Sequence, residues 1–164
     1  MANSTIIGKA KNKIIKELIK DDEIVRAIGS SGIKSPEKLI GTHIFNYYQN
    51  PNTINTVETF ITVTVNIPRV FSYGRKNTFL VPTIEFLIVS HERHMEVKEI
   101  PKITDNRNDY ISTLIDRKFN GTTGLGVGEM WLVENSEGSF QKDYVFRKMI
   151  FEVPELNMSL CRDE

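Results

Sequence analysis

One segment of the chain alternates between two kinds of side chain with a strict period of two. One set is mainly aliphatic: Val57, Thr59, Ile61, Val63, Val65 and Ile67. The other set is mainly polar: Glu58, Phe60, Thr62, Thr64 and Asn66. Because successive side chains of a β-strand point to opposite faces, this pattern predicts a strand with one core face and one mainly polar face. Pro68 is expected to end the strand, since proline has no N–H to donate to a neighbouring strand.

A second strand is predicted from about Phe79 to Val89, where apolar side chains recur and Pro82 indicates an edge position or an irregular start. The residues between the two strands, FSYGRKNT at 71–78, are mostly polar and have Gly74 at their centre. They predict the connecting loop of a long antiparallel hairpin.

Apolar spacings of three and four residues predict helices on both sides of this hairpin. The expected helices begin at Ser4 or Thr5, at Glu23, at Ser35, and at Thr104 or Asp105, the last ending at Gly121. Two further strands are expected at 129–134 and about 144–153. The predicted fold is α+β, with a mainly antiparallel four-stranded sheet, an N-terminal helix and a second helix between two strand pairs.

The length of 164 residues is that of one domain, with a short polar tail expected from about residue 155. Twenty-one basic and 21 acidic residues leave no formal net charge. That balance argues against a general nucleic-acid binder, which needs a basic excess to neutralise phosphates. It also removes the charge repulsion that keeps copies of a protein apart, so an assembly subunit is allowed.

The cysteine content and the hydropathy of the chain indicate the cellular compartment of the protein. Cys161 is the single cysteine, which excludes an internal disulfide and metal clusters built on several thiolates. The N-terminal residues MANSTIIGKAKNK lack the apolar core of a signal peptide, and no apolar run approaches the roughly 18 residues of a membrane span. We expect a protein of the cytoplasm, or one assembled there, with no membrane partner.

Two patterns suggest metal chemistry. The run SHERHME at 90–96 places Glu92, His94 and Glu96 on one face of a continuing strand, and a bend would be needed for them to share a metal ion. The triplet Glu96-Val97-Lys98 matches the end of a Mg²⁺-dependent nuclease signature, for which Glu85 is the upstream acid. The solvated end of a strand is the preferred explanation of the first pattern, and a triplet like the second is common by chance.

Two loops are candidates for contacts with other subunits. Phe71, Tyr73, Arg75 and Lys76 combine aromatic and cationic side chains, which are favoured at interfaces, at the expected hairpin tip. The second loop contains Gly124, Gly126 and Gly128. Its glycines follow a helix and precede a strand, whereas a phosphate cradle has the reverse order, so it indicates a flexible connection or a close approach to another backbone. No serine, cysteine or histidine has a recognisable nucleophile setting.

Four stretches carry a resemblance to a known class of proteins. They are IIGKAKNKIIKELIKDDEIVRAI, HIFNYYQNPNTINTVETFITVTVNIP, NRNDYISTLIDRKFNG and GSFQKDYVFRKMIFEVPELN. Together they resemble virion proteins of long-tailed phages or prophages of low-GC bacteria. The order helix-β-β-helix-β-β is similar to that of the tail-terminator or tail-completion proteins of the neck. The resemblance covers the chain from about Thr5 to Asn157.

The resemblance implies a structural protein rather than an enzyme. Tail terminators form a ring, usually a hexamer, on the last ring of the tail tube, stop its growth and present a surface to the head-side connector. DNA passes through the central hole without sequence-specific binding, and no cofactor is involved. The expected location is the tail or neck of the virion. Two alternatives remain: a head-side stopper or connector, and, of another class, the Mg²⁺-dependent nuclease.

Overall fold

The computed structural model describes residues 4–32, 35–50, 55–73, 77–123, 128–140, 143–153 and 156–157. Its helices are α1 (Ser4–Ile19), α2 (Asp22–Ile28) and α3 (Arg107–Phe119), with 3₁₀ helices at Pro36–Leu39 and Glu92–His94. Its strands are β1 (Ile44–Phe45), β2 (Thr59–Tyr73), β3 (Asn77–His91), β4 (Trp131–Phe140), β5 (Tyr144–Glu152) and β6 (Leu156–Asn157). Among the described residues, no helix combines the length and hydropathy of a membrane span.

Local hydrogen bonds set where the second and third helices begin. The Asp21 carboxylate accepts the N–H groups of Glu23 and Ile24, so Asp21 caps α2, and Gly29 ends that helix at φ 66°. The Asn106 side chain accepts the N–H of Asp109 and caps α3. The predicted start of α3 at Thr104 or Asp105 was therefore one or two residues early, because asparagine is an equally good capping residue.

The sheet differs from the predicted one. Its strand order is β1-β2-β3-β5-β4, and β6 pairs with β3 outside that order. β1 runs parallel to β2, while the other neighbours are antiparallel. The prediction of a mainly antiparallel four-stranded sheet was wrong: the sheet is mixed, with one parallel pair and two strands that were not expected. β1 and β6 have two residues each, too few to show an alternating pattern.

The helices pack on one face of the sheet and form the main core. Ile14 and Leu18 of α1, Phe86 of β3 and Phe151 of β5 have no more than 2 % of their surface exposed. The Phe86 ring stacks on Phe119 of α3, with centroids 5.2 Å apart, and meets Phe151 edge-on. The predicted core face of β2 is confirmed, since Ile61, Val63 and Val65 all belong to this core.

The hairpin is longer than its sequence predicts. β2 does not end at Pro68 but continues to Tyr73, and β3 begins at Asn77, so 71–73 and 77–78 are strand rather than loop, while 74–76 lie outside the described residues. The pairing shifts between Asn66 and Arg69, which is where Pro68 lies, opposite Pro82. Because a bulge leaves a residue outside the ladder, the missing proline N–H costs no ladder hydrogen bond there. The prediction that Pro82 marks an edge position or an irregular start was wrong, because β3 begins at Asn77 and lies between β2 and β5.

Past the bulge, the hairpin leaves the body of the sheet. Five residue pairs, from Arg69 with Val81 to Tyr73 with Asn77, continue beyond the point where β5 stops pairing with β3 at Thr83. We call residues 69–73 and 77–81 the arm. At the rise of a strand, the arm extends about 17 Å. β6 lies along it, pairing with Phe79 and Leu80. The single domain and its tail from about residue 155 stay predictions.

Candidate assembly surface

The arm and the glycine loop lie at the same end of the sheet. Pairing partners follow one another across four strands. Asn66 of β2 pairs with Thr83 of β3, Thr83 pairs with Glu152 of β5, and Glu152 pairs with Trp131 at the start of β4. Three strand spacings separate Asn66 from Trp131, which is about 14 Å. The arm leaves the sheet at this level, and the glycine loop enters β4 at the same level.

The base of the glycine loop is held by main-chain hydrogen bonds. The Gly121 N–H donates to the Met130 carbonyl at 2.7 Å, and the Met130 N–H donates to Thr122 at 3.1 Å. Gly128 has φ 98°, a conformation that favours glycine because it has no side chain. Gly124 and Gly126 lie outside the described residues.

The four predicted hairpin residues are placed only in part. Phe71 and Tyr73 lie on β2, within the arm, rather than in a loop. Arg75 and Lys76 lie outside the described residues. That these seven residues contact other subunits remains a prediction.

The start of β4 carries an exposed apolar pair that the sequence analysis did not single out. Trp131 is 48 % exposed and Val133 is 53 % exposed. The pairing with β5 shifts between Leu132 and Glu134, so Val133 is the extra residue of a bulge. The available signal was that Trp131 is the one tryptophan of the chain, next to a glycine-rich loop.

Ion pairs tie β4 to β5, while on the other side of β4 the Leu132 N–H donates to Asn120 Oδ1 at 3.0 Å. The Lys148 ammonium lies 2.7 Å from a Glu134 carboxylate oxygen, and Arg147 lies between Glu137 and Asp109 of α3. Hydrogen bonds from Lys148 and Ser136 lower the pKa of Glu134 below its ordinary value. These partners hold the Glu134 side chain in the charged form.

The residues proposed for nuclease chemistry do not converge. Ile84 and Phe86 face the helices, so Glu85, between them, lies on the opposite face, where burial raises its pKa. Glu96 follows the 3₁₀ helix after β3 and pairs with Lys98 at 3.3 Å, both about three-quarters exposed. Glu85 is six residues, about 20 Å, before the end of β3, and this separation prevents a shared ion.

The histidine run is also used for internal contacts. The Nδ1 atom of His91 accepts the Arg93 N–H at 3.1 Å, and Nδ1 of His94 lies 2.8 Å from Thr59 Oγ1. Glu92 stands with His94 in the 3₁₀ helix rather than on a continuing strand. Within the described part of the chain, no group of three His, Cys, Asp or Glu side chains could hold a metal ion.

A buried arginine holds the other end of the sheet, opposite the arm. Arg107 is 1 % exposed, and its guanidinium donates to the carbonyls of Ala27, His94 and Glu96 and to the Glu99 carboxylate. It thereby joins α2, the second 3₁₀ helix and α3. At the end of α2, a Cβ atom on Gly29 would collide with this guanidinium. No sequence pattern distinguished Arg107 from the other basic residues.

We expect His94 to make stability depend on pH. Burial and the nearby Arg107 lower its pKa below 6.5, outweighing Glu99 and the Gly29 carbonyl. As pH falls below about 6.5, the unfolded chain therefore binds a proton that the folded chain resists, and stability falls. Between pH 7.5 and 5.5 the free energy of unfolding should drop by up to about 1.4 kcal/mol more in the wild type than in His94→Gln. Urea unfolding measures both, and equal drops would contradict the prediction.

Comparison with known proteins shows a family whose model covers most of the chain. The YomW family model matches residues 12–153, which include α2, α3 and every strand from β1 to β5. The chain belongs to the YomW family. Membership in the YomW family fits a phage- or prophage-associated protein, in agreement with the broader part of the sequence-based resemblance. No curated protein matches the chain.

Proposed function

We propose that this YomW-family chain is a structural protein of the phage neck, forming a ring that terminates the tail tube and joins it to the head-side connector. The main support is the arrangement at one end of the sheet, where the arm and the base of the glycine loop lie about 14 Å apart. The arm, with the base of this loop at the same end of the sheet, suits a subunit that contacts both its neighbours and the tube. Membership in a phage-linked family agrees with this role.

The charge of the chain suits a ring through which DNA passes. With 21 basic and 21 acidic residues, the subunit has no net attraction that would hold the phosphates of a moving duplex. The proposed partners are a second copy of the chain, the tail tube protein and the connector, and the proposed location is the virion neck. The role requires no catalysis and no cofactor.

A tube-capping experiment tests the proposal. Purified protein is added to tail tube protein of the same phage or prophage as it polymerises, and tube lengths and ends are measured by electron microscopy. The expected result is shorter tubes with a ring of this protein at one end only. Tubes of unchanged length with bare ends would contradict the proposed function.

A further inference from the structure

Two edges of the sheet are open, and they lie at its opposite sides. On the basis of the proposed ring, we infer that neighbouring subunits are joined by antiparallel main-chain pairing. In this pairing, β4 of one subunit lies beside the outer edge of β2 of the next. The partner is a second copy of this chain, joined through two different surfaces.

The first open edge is β4. It is the last strand in the order of the sheet and pairs with no strand but β5 within the described residues; its edge is open from Val133 to Phe140, because the Leu132 N–H already donates to Asn120 Oδ1. Proteins protect such edges with lysine, proline or a covering segment. Residues 131–140 contain no lysine, arginine or proline, while Trp131 and Val133 are about half exposed. β4 therefore has the features of a strand that is covered in an assembly.

The second open edge is the outer side of β2. β1 pairs only with Ile61 and Thr62, so residues 63–73 have no strand on that side in the part of the chain that the structure describes. β1 itself is closed on its outer side, because the Gly41 N–H donates to the Ile44 carbonyl at 2.8 Å. The open length of β2, 11 residues, is enough to pair with the eight residues of β4 from 133 to 140.

Strand direction makes these two edges compatible. β2 is antiparallel to β3, β3 to β5, and β5 to β4, so β4 is antiparallel to β2. Continuing the sheet from one subunit into the next therefore places β4 beside an antiparallel β2, the slightly more stable kind of pair. A contact between two different edges repeats around a ring, whereas pairing of β4 with itself closes a dimer.

The charges of the two strands are complementary. β4 contains Glu134 and Glu137 and no basic residue, whereas β2 contains Arg69 and no acidic residue. Two copies of β4 side by side would instead bring four carboxylates together. Opposite charges across strands are favourable and like charges are not, so β2 is the better partner for β4.

Two charge substitutions test this pairing. Val133→Lys places a cation where β4 would meet the strand of Arg69, and Asn66→Glu places an acid on exposed β2 where it would meet acidic β4. Val57→Lys and Asn55→Glu are matched controls at exposed positions outside both strands. Light scattering should show each test variant falling to the 18.8 kDa subunit, while both controls keep the mass of the wild-type ring.

Mixing the two test variants then distinguishes the geometry. Val133→Lys keeps an intact β2 edge and Asn66→Glu keeps an intact β4 edge, and the introduced cation and acid attract each other, so an equimolar mixture should assemble beyond the 18.8 kDa subunit although neither variant does so alone. If Asn66→Glu stays assembled while Val133→Lys dissociates, β4 pairs with itself and the inference is overturned. A wild-type protein that remains a monomer, or test variants that remain rings, also overturns it.

Measuring both ring formation and tube capping tests the edge pairing and the terminator role independently. Should both test variants form rings and cap tubes like the wild type, the edge pairing falls and the terminator role stands. Should the edge variants dissociate as expected while wild-type rings leave tube growth unchanged, the pairing stands and the terminator role falls. Circular dichroism of both variants checks that the sheet is intact.

Discussion

Replacing Arg107 with methionine is expected to lower the free energy of unfolding by about 3–5 kcal/mol, the usual cost of removing one partner of a buried charge network. Methionine keeps much of the length of the side chain but donates no hydrogen bond. The carbonyls of Ala27, His94 and Glu96 would then lose their donor in a site where Arg107 is only 1 % exposed. Buried acceptors without a donor carry the full cost of desolvation.

Arg117→Met is the matched control for this measurement. Arg117 lies on the same helix and pairs with Glu23 at 2.6 Å, but it is 64 % exposed. Exposed ion pairs contribute at most about 1 kcal/mol, so its loss should be small. Both variants are compared with the wild type by urea unfolding at pH 7.5. An Arg107→Met chain within about 1 kcal/mol of the Arg117→Met chain would show that the network adds little stability.

Removing the arm is expected to abolish tube capping while leaving the sheet folded. Residues 70–80 are replaced by Asn-Gly, so that these two residues form the turn between Arg69 and its pairing partner Val81. Asn-Gly forms the tight turn that suits a two-residue hairpin. The strand pairs between β3 and β5 begin at Thr83 and are untouched. The bulge at Pro68 and Pro82 also remains.

Two measurements separate loss of function from loss of structure. Circular dichroism and thermal unfolding should show a folded chain, and electron microscopy should show tubes of the same length as without the protein. A matched control places Asn-Gly in the exposed turn at residues 101–102, where Lys102 has φ 68°, and it should cap tubes normally because this turn lies outside the arm and outside β4. Normal capping by the arm-shortened chain would exclude the arm from tube contact.

The elements that were predictable from sequence are those with a long periodic pattern. β2 alternates over 11 positions and α1 repeats its apolar stripe over four turns, so each pattern identified its own element. The continuation of β2 past Pro68 was not predictable. Whether a proline breaks a strand depends on what lies beside it, and here a bulge opposite Pro82 removes the need for its N–H.

The candidate assembly surface was likewise predictable from the sequence only in part. The sequence marked the arm and the glycine loop as unusual, but their separation along the chain gave no indication that they share one end of the sheet. Nor did it show that Trp131 and Val133 stand on an edge strand, since a strand carries no mark of its place in the sheet order. Arg107 was missed because burial of a cation depends on carbonyls far away in the sequence, such as that of Ala27.

Taken alone, the sequence determined a chain of helices and strands with no net charge, a single cysteine and an amphipathic β2, because composition and short-range periodicity are properties of neighbouring residues. Tertiary structure decided the parallel pairing of β1, the strand order and the two open edges. Those features depend on hydrogen bonds between residues far apart in the chain, for example Ile61 with His43 and Val153 with Pro82. Such hydrogen bonds join main-chain groups that every residue except proline carries in full, so side-chain patterns leave the choice of partner open.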